Sequence, residues 1–202
     1  MLVDRYILDM VRMFATAHLQ MSRFECKEMI ATLEKLPPQQ QLSPTVMILT
    51  GRGYFEMVEY ATVRPPAAHL NLSNRHLLNP QAERAYKAAR SLDPYRIWDL
   101  DYYSTLLWHL KRSSALAGLA QEMLNIDPKA PEAWIAVGNC FSLQREHHQA
   151  MTAFQRAYQL EEGCFYAYAL QGHEALAADE VRKAMSCFQT SIRINPRGVT
   201  AL

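Results

Sequence analysis

Residues 131–164 read PEAWIAVGNCFSLQREHHQAMTAFQRAYQLEEGC. Trp134, Val137, Gly138 and Phe141 fall on one face of a first helix, and Ala150, Phe154 and Ala157 on one face of a second. The turn between them, Gln144-Arg145-Glu146-His147, is short and polar. Two helices of this size cannot bury their apolar faces alone and need neighbours of the same shape. The neighbours are present. Pro94, Pro128 and Pro196 fall on a 34-residue grid, with Glu162 in the remaining place. The residues before these prolines are Asp93, Asp127 and Asn195. A residue that precedes proline avoids helical geometry, so each pair stops a helix.

A 34-residue period that repeats an aromatic or apolar residue, a small residue, an aromatic, an alanine, a bulky apolar residue and a proline is the tetratricopeptide (TPR) pattern. It predicts an all-α solenoid of helix-turn-helix units wound into a right-handed superhelix. The whole chain, 1–202, reads as a single array. Repeats are expected at 10–43, at 44–96 with an insertion at 61–79, at 97–130, at 131–164 and at 165–198, and a sixth begins at 199. Gly138 and Gly172 are expected where the two helices of a repeat cross closely. Trp134 marks the first-helix face, and Phe154 and Phe188 should fill the space between successive repeats. Each buried large side chain contributes roughly 1.5–3 kcal/mol.

The second repeat is longer than the period. Its first helix is expected from Pro44 to Tyr60 and its second from Gln81 to Ser91, which leaves the 19 residues 61–79 as surplus. That stretch holds Pro65-Pro66 and several asparagines, and it reads as a surface loop with no more than a weak helical turn at 69–78. The C-terminal stop within one turn of a sixth helix, without a polar capping helix, predicts a piece of a longer array or a truncated gene product.

Composition narrows function. With 21 basic and 20 acidic residues the formal net charge is +1, which argues against a nucleic-acid footprint. No 18-residue apolar run is present, so neither a membrane span nor a signal peptide is expected. Cys26, Cys140, Cys164 and Cys187 are scattered, which reads as buried thiols in a reducing compartment with no metal site. No phosphate loop, Gly-x-Ser-x-Gly elbow or His-Glu-x-x-His helix occurs. His147-His148 is expected to be solvated in a turn. Cys140 and His173 could be drawn as a thiol–base pair, but no residue is placed to orient the imidazole. No catalytic residue, cofactor or metal is expected.

Three stretches are more specific than the TPR pattern: GNCFSLQREH at 138–147, YAYALQGHE at 166–174 and YYSTLLWHLK at 102–111. Together they resemble the TPR scaffold subunit of the anaphase-promoting complex (cyclosome) that receives activator tails. The resemblance runs from 26–28 through 51–55 to 195–197, and departs from the family at 61–79. It implies a non-catalytic scaffold in a cell-cycle ubiquitin ligase of nucleus and cytoplasm. Its partners would be other subunits of the complex and the C-terminal Ile-Arg tails of activators, with no nucleic acid and no membrane. The family homodimerises through N-terminal repeats and completes its superhelix with further C-terminal ones; this sequence holds neither, so weak or no tail binding by this chain alone is expected. Groove-facing positions on TPR first helices then make Asn139, Glu174, His173, Glu132 and Tyr166 the candidate peptide contacts. Asn139 could equally cap or bridge adjacent helices. A purely structural TPR spacer is the alternative, as is another TPR adaptor. The chaperone-adaptor pattern fits less well, because Ile135 replaces its lysine.

Overall fold

The computed structural model describes residues 2–63 and 75–196, and all secondary structure there is helical. The chain divides into two compact units, Met1–Pro94 and Tyr95–Leu202. The first contains α1 (Leu2–Ser22), α2 (Cys26–Leu33), α3 (Pro38–Gln41), α4 (Pro44–Val63) and α5 (Arg75–Leu92). The second contains α6 (Leu100–His109), α7 (Ser113–Ile126), α8 (Pro131–Leu143), α9 (His147–Leu160), α10 (Phe165–Ala177) and α11 (Val181–Ile194). The expected helices are present, with α3 as an additional single turn behind Pro37-Pro38.

Packing in the second unit is between near neighbours. α6, α8 and α10 pair with α7, α9 and α11 respectively, and α7 packs on α8, α8 on α6, and α9 on α10. In the first unit α1 packs on α2, α2 on α4, and α4 on α5. Packing chiefly against adjacent units is the signature of a stacked repeat array.

The turns repeat as closely as the helices. Phe24, Lys111, Arg145 and Asp179 all have left-handed backbone, with φ between 56 and 65°. The residue after each, Glu25, Arg112, Glu146 or Glu180, donates its N–H back to the carbonyl of Gln20, Leu107, Phe141 or Ala175. This 6→1 bond is the Schellman closure of a helix C-terminus. Lys111, Arg145 and Asp179 are 34 residues apart, and Phe24 occupies the same place in the repeat that starts at Met10. Four turns thus fix the register independently of the apolar pattern.

The helix crossings follow from side-chain volume. A Cβ built on Gly138 would come within 3 Å of three atoms of the Phe154 ring, and one on Gly172 within 3 Å of three atoms of Phe188. Each phenylalanine therefore lies across the glycine of its own repeat. Phe154 also joins the cluster of Ile135, Ala150, Ala157 and Ala167, so it reaches the next repeat as expected from sequence. Trp134 packs at the edge of that cluster and donates its indole N–H to the Pro128 carbonyl at 2.9 Å.

The region 61–79 differs from expectation. α4 continues through Val63 and α5 begins at Arg75, with Pro80 inside it. Both helices of the second repeat therefore run into the surplus residues, which are not simply a loop. The proline ring costs one helical hydrogen bond but falls early in α5. Residues 64–74, including Pro65-Pro66, lie outside the described residues.

Candidate functional site

Two first helices of the second unit, α8 and α10, carry the candidate residues, and the preceding first helix, α6, carries several of their partners. Asn139 is buried in α8. Its amide donates to Ser104 Oγ at 2.8 Å and to Thr105 Oγ1 at 3.0 Å, both on α6. Ser104 and Thr105 in turn donate to the Asp101 carbonyl. Tyr166 reaches from α10 and donates its hydroxyl to Thr105 Oγ1 at 2.8 Å. Its ring stacks on Tyr102 with centroids 4.7 Å apart and planes 18° apart. Three first helices therefore meet at one threonine hydroxyl.

A second polar chain runs beside the first. Trp108 Nε1 donates to Ser142 Oγ at 2.9 Å, and Ser142 donates to Glu174 Oε1. The other oxygen of the buried Glu174 carboxylate lies 2.8 Å from His147 Nδ1. Lys111 Nζ sits 4.1 Å from the centre of the Trp108 ring. Removing one partner from such a buried chain exposes the others to an unmet desolvation cost, so these residues hold one another in place. His147 was expected to be solvated in a turn; instead it opens α9 and is half-buried against Glu174, whereas His148 is exposed 3.8 Å from Glu180.

Glu132 and His173 are more open. Glu132 is half-buried in the first turn of α8. Burial raises its pKa, the carboxylates of Glu161, Asp99 and Asp127 add to that, and its own backbone N–H opposes it. His173 is exposed, and its ring packs edge-on against Phe188 at 5.1 Å. The water lost on that side lowers its pKa, with Glu174 pulling the other way.

Asn139, Tyr166 and Glu174 thus belong to networks that join the first helices of the second unit, while Glu132 is half-buried and His173 exposed. Sequence reasoning missed Ser104, Thr105, Trp108, Ser142 and His147 as the partners. The signal was available: Ser104-Thr105 lie 34–35 residues before Asn139, and Trp108 lies 34 before Ser142. Residues a period apart on stacked helices become neighbours.

The thiols do not look nucleophilic. Burial pushes Cys140 up to about 11 and Cys26 and Cys164 up to about 12, so each stays protonated at neutral pH. Among the described residues no group of three or more His, Cys, Asp or Glu could hold a metal ion. No helix among them is long and apolar enough to cross a membrane.

Helix pairs in a 34-residue register, closed by a recurrent turn and stacked mainly on their neighbours, define a tetratricopeptide-repeat protein. The crystal structure of the APC/C hetero-tetramer Cut9–Hcn1 superposes on 83% of this chain and 28% of its own with a TM-score of 0.65 at 13% identity. MamA from Desulfovibrio magneticus RS-1 superposes on 91% of this chain and 93% of its own, with a TM-score of 0.53 at 12% identity. At those identities the likeness is one of fold. No family model matches the sequence.

Over nearly its whole length the chain is homologous to subunit 3 of the anaphase-promoting complex. It is 35% identical to anaphase-promoting complex subunit 3 of Schizosaccharomyces pombe over 98% of this chain and 27% of that protein. It is 35% identical to protein bimA of Emericella nidulans over 97% of this chain and 22% of that protein. With the human cell division cycle protein 27 homolog it shares 38% identity over 77% of this chain and 16% of the relative. The chain therefore spans about a quarter or less of the length of these relatives.

Proposed function

We propose that this chain is a non-catalytic scaffold segment of an anaphase-promoting complex, working in nucleus and cytoplasm, whose first-helix face takes the C-terminal Ile-Arg tail of an activator. The observation that supports it is identity of 35% to subunit 3 of that complex across 98% of the chain. The other subunits are its partners by the same reasoning.

An Ile-Arg carboxyl terminus needs acceptors for the guanidinium, a donor for the carboxylate and an apolar slot. Asn139 and Glu174 already spend polar atoms on Ser104, Thr105, Ser142 and His147. Their role in this reading is to set the spacing of α6, α8 and α10. Glu132 is the acceptor for the guanidinium, His173 a polar contact, and the Tyr102–Tyr166 stack the apolar wall. The buried networks also favour a second reading, a spacer that binds no tail.

Chemical-shift mapping with an Ile-Arg-ending peptide separates the two. Tail binding predicts shifts at Glu132, Tyr166 and His173, an affinity weaker than about 1 μM for this chain alone, and loss of the shifts when the peptide is amidated. A spectrum that stays unchanged at millimolar peptide leaves the spacer.

A further inference from the structure

The joint between the fourth and fifth repeats is filled, and the joint before it is not. Across the filled joint α9 reaches over α10. Tyr158 stacks on Tyr168 with ring centres 4.1 Å apart and planes 10° apart, and Met151 packs with Ala175 and Ala184. The Met151 carbonyl also accepts from the Gln171 amide. The floor of that joint is closed as a result, and both Gln171 and Ala175 are buried.

One repeat earlier the same places hold smaller side chains. Ala117 stands 34 residues before Met151, and Leu124 stands 34 before Tyr158. Leucine brings no ring to the α8 floor, and alanine ends at its Cβ. Ala117 is exposed, and a Cβ built on the adjacent Gly118 would meet nothing within 4 Å. Val137 and Phe141, the counterparts of the buried Gln171 and Ala175, are therefore half-buried. With Trp134 they floor a cleft of about 530 Å³ between α8 and α9, and no residue of α7 lines it. The cleft lies inside the second unit, with α6 and α7 before it and α10 and α11 after it.

The chemistry of the cleft selects its occupant. The floor is aromatic and aliphatic, and the α9 rim is polar, with Gln149, Arg156 and Gln159. Arg156 is the one ionisable residue in the lining. Its polar partner among the described residues is Gln159 Oε1 at 3.4 Å, so the guanidinium keeps donors for a carboxylate. A cleft of this volume suits one or two large side chains. The filled joint provides the template: a ring over the residue equivalent to Trp134, and a flexible apolar chain beside it. We propose that this cleft docks a short segment of a partner protein, which lays an aromatic side chain over Trp134 and Phe141 and sets a carboxylate on Arg156. Trp134, Val137 and Phe141 lie on a different face of α8 from Glu132 and Asn139, so this site is separate from the face proposed for an Ile-Arg tail.

Chemical-shift titration of the 202-residue chain tests this with three acetylated, amidated peptides: Glu-Ala-Trp-Ala-Glu, Lys-Ala-Trp-Ala-Lys and Glu-Ala-Ala-Ala-Glu. The first should give saturable shifts at the Trp134 indole N–H and at the amides of Gln149, Ala153 and Arg156. The other two should bind at least about tenfold more weakly. Arg156 is exposed, so Arg156→Glu should keep the fold and turn the preference toward the lysine peptide. Ala117→Met combined with Leu124→Tyr fills the cleft as α9 fills the next joint; it should abolish the shifts and leave the melting temperature equal or higher. No saturable shift with millimolar Glu-Ala-Trp-Ala-Glu overturns the proposal, as does equal binding of the lysine peptide by wild type. Shifts confined to Glu132, Tyr166 and His173 overturn it by moving the peptide to the other face of the first helices. Shifts at Trp134 that depend on protein concentration without peptide overturn it in favour of a second copy as the occupant.

Discussion

The second and fourth repeats solve one problem in two ways. In the fourth, α8 stops at Leu143, Arg145 turns left-handed, and α9 starts at His147. In the second, α4 runs 20 residues and α5 18, against 13 and 14 in the fourth. Both nevertheless place a small residue under an aromatic ring, Gly51 beneath Tyr86 and Gly138 beneath Phe154. The crossing therefore belongs to the packed faces, and the turn can be lengthened without disturbing it. Loop closure tolerates this well, because each doubling of length adds only about 0.6 kcal/mol.

That comparison can be broken at the crossing. Gly138→Leu should destabilise by about 2 kcal/mol or more through overpacking, read as a lower melting temperature. The smaller change Gly138→Ala should cost more than Gly51→Ala, because an added Cβ meets Tyr86 at 3.0 Å but overlaps the Phe154 ring more deeply. Equal costs would mean that the second repeat crosses as tightly as the fourth. Next in size, Glu174→Ala should cost about 1–3 kcal/mol by leaving Ser142 and His147 without their acceptor.

The turns sharpen the comparison in the other direction. Arg145→Gly should stabilise by about 0.5–1 kcal/mol, since glycine adopts the left-handed backbone without the Cβ penalty. Removal of residues 61–79 should leave the melting temperature equal or higher, because the fourth repeat crosses in the same way with a short turn. A second repeat that unfolds on deletion would show that the extended ends of α4 and α5 are needed for the crossing.

The smallest effect is electrostatic. The folded environment lowers the pKa of His173, so the folded state binds that proton less readily than the unfolded one. The associated stability is present above the ordinary value of 6.5 and is lost as pH falls through it. Because His173 is exposed, the melting temperature of wild type should fall only slightly more than that of His173→Gln between pH 8 and pH 5.

The helix pairs, the glycine crossings and the register were legible in the sequence because they depend on side-chain volume and spacing within one repeat. Gly138 and Phe154 announce each other. The site was legible only in part. Asn139 stood out from its groove-facing place on a TPR first helix, but whether its amide faces a ligand or a neighbour depends on Ser104 and Thr105 in another repeat. His147 looked like a turn residue because its acceptor, Glu174, lies 27 residues on. The helical extensions beside 61–79 were missed because Pro65-Pro66 and the asparagines argued for a loop, whereas Pro80 is accommodated early in α5.

Polar residues about one period apart brace the first helices against one another. A double-mutant cycle on Ser142→Ala and Glu174→Gln, followed by urea unfolding, measures that brace directly. A coupling of about 1 kcal/mol or more between the two changes is the predicted result. Additive effects within about 0.3 kcal/mol would contradict the brace and return Glu174 to the set of residues free to contact a ligand.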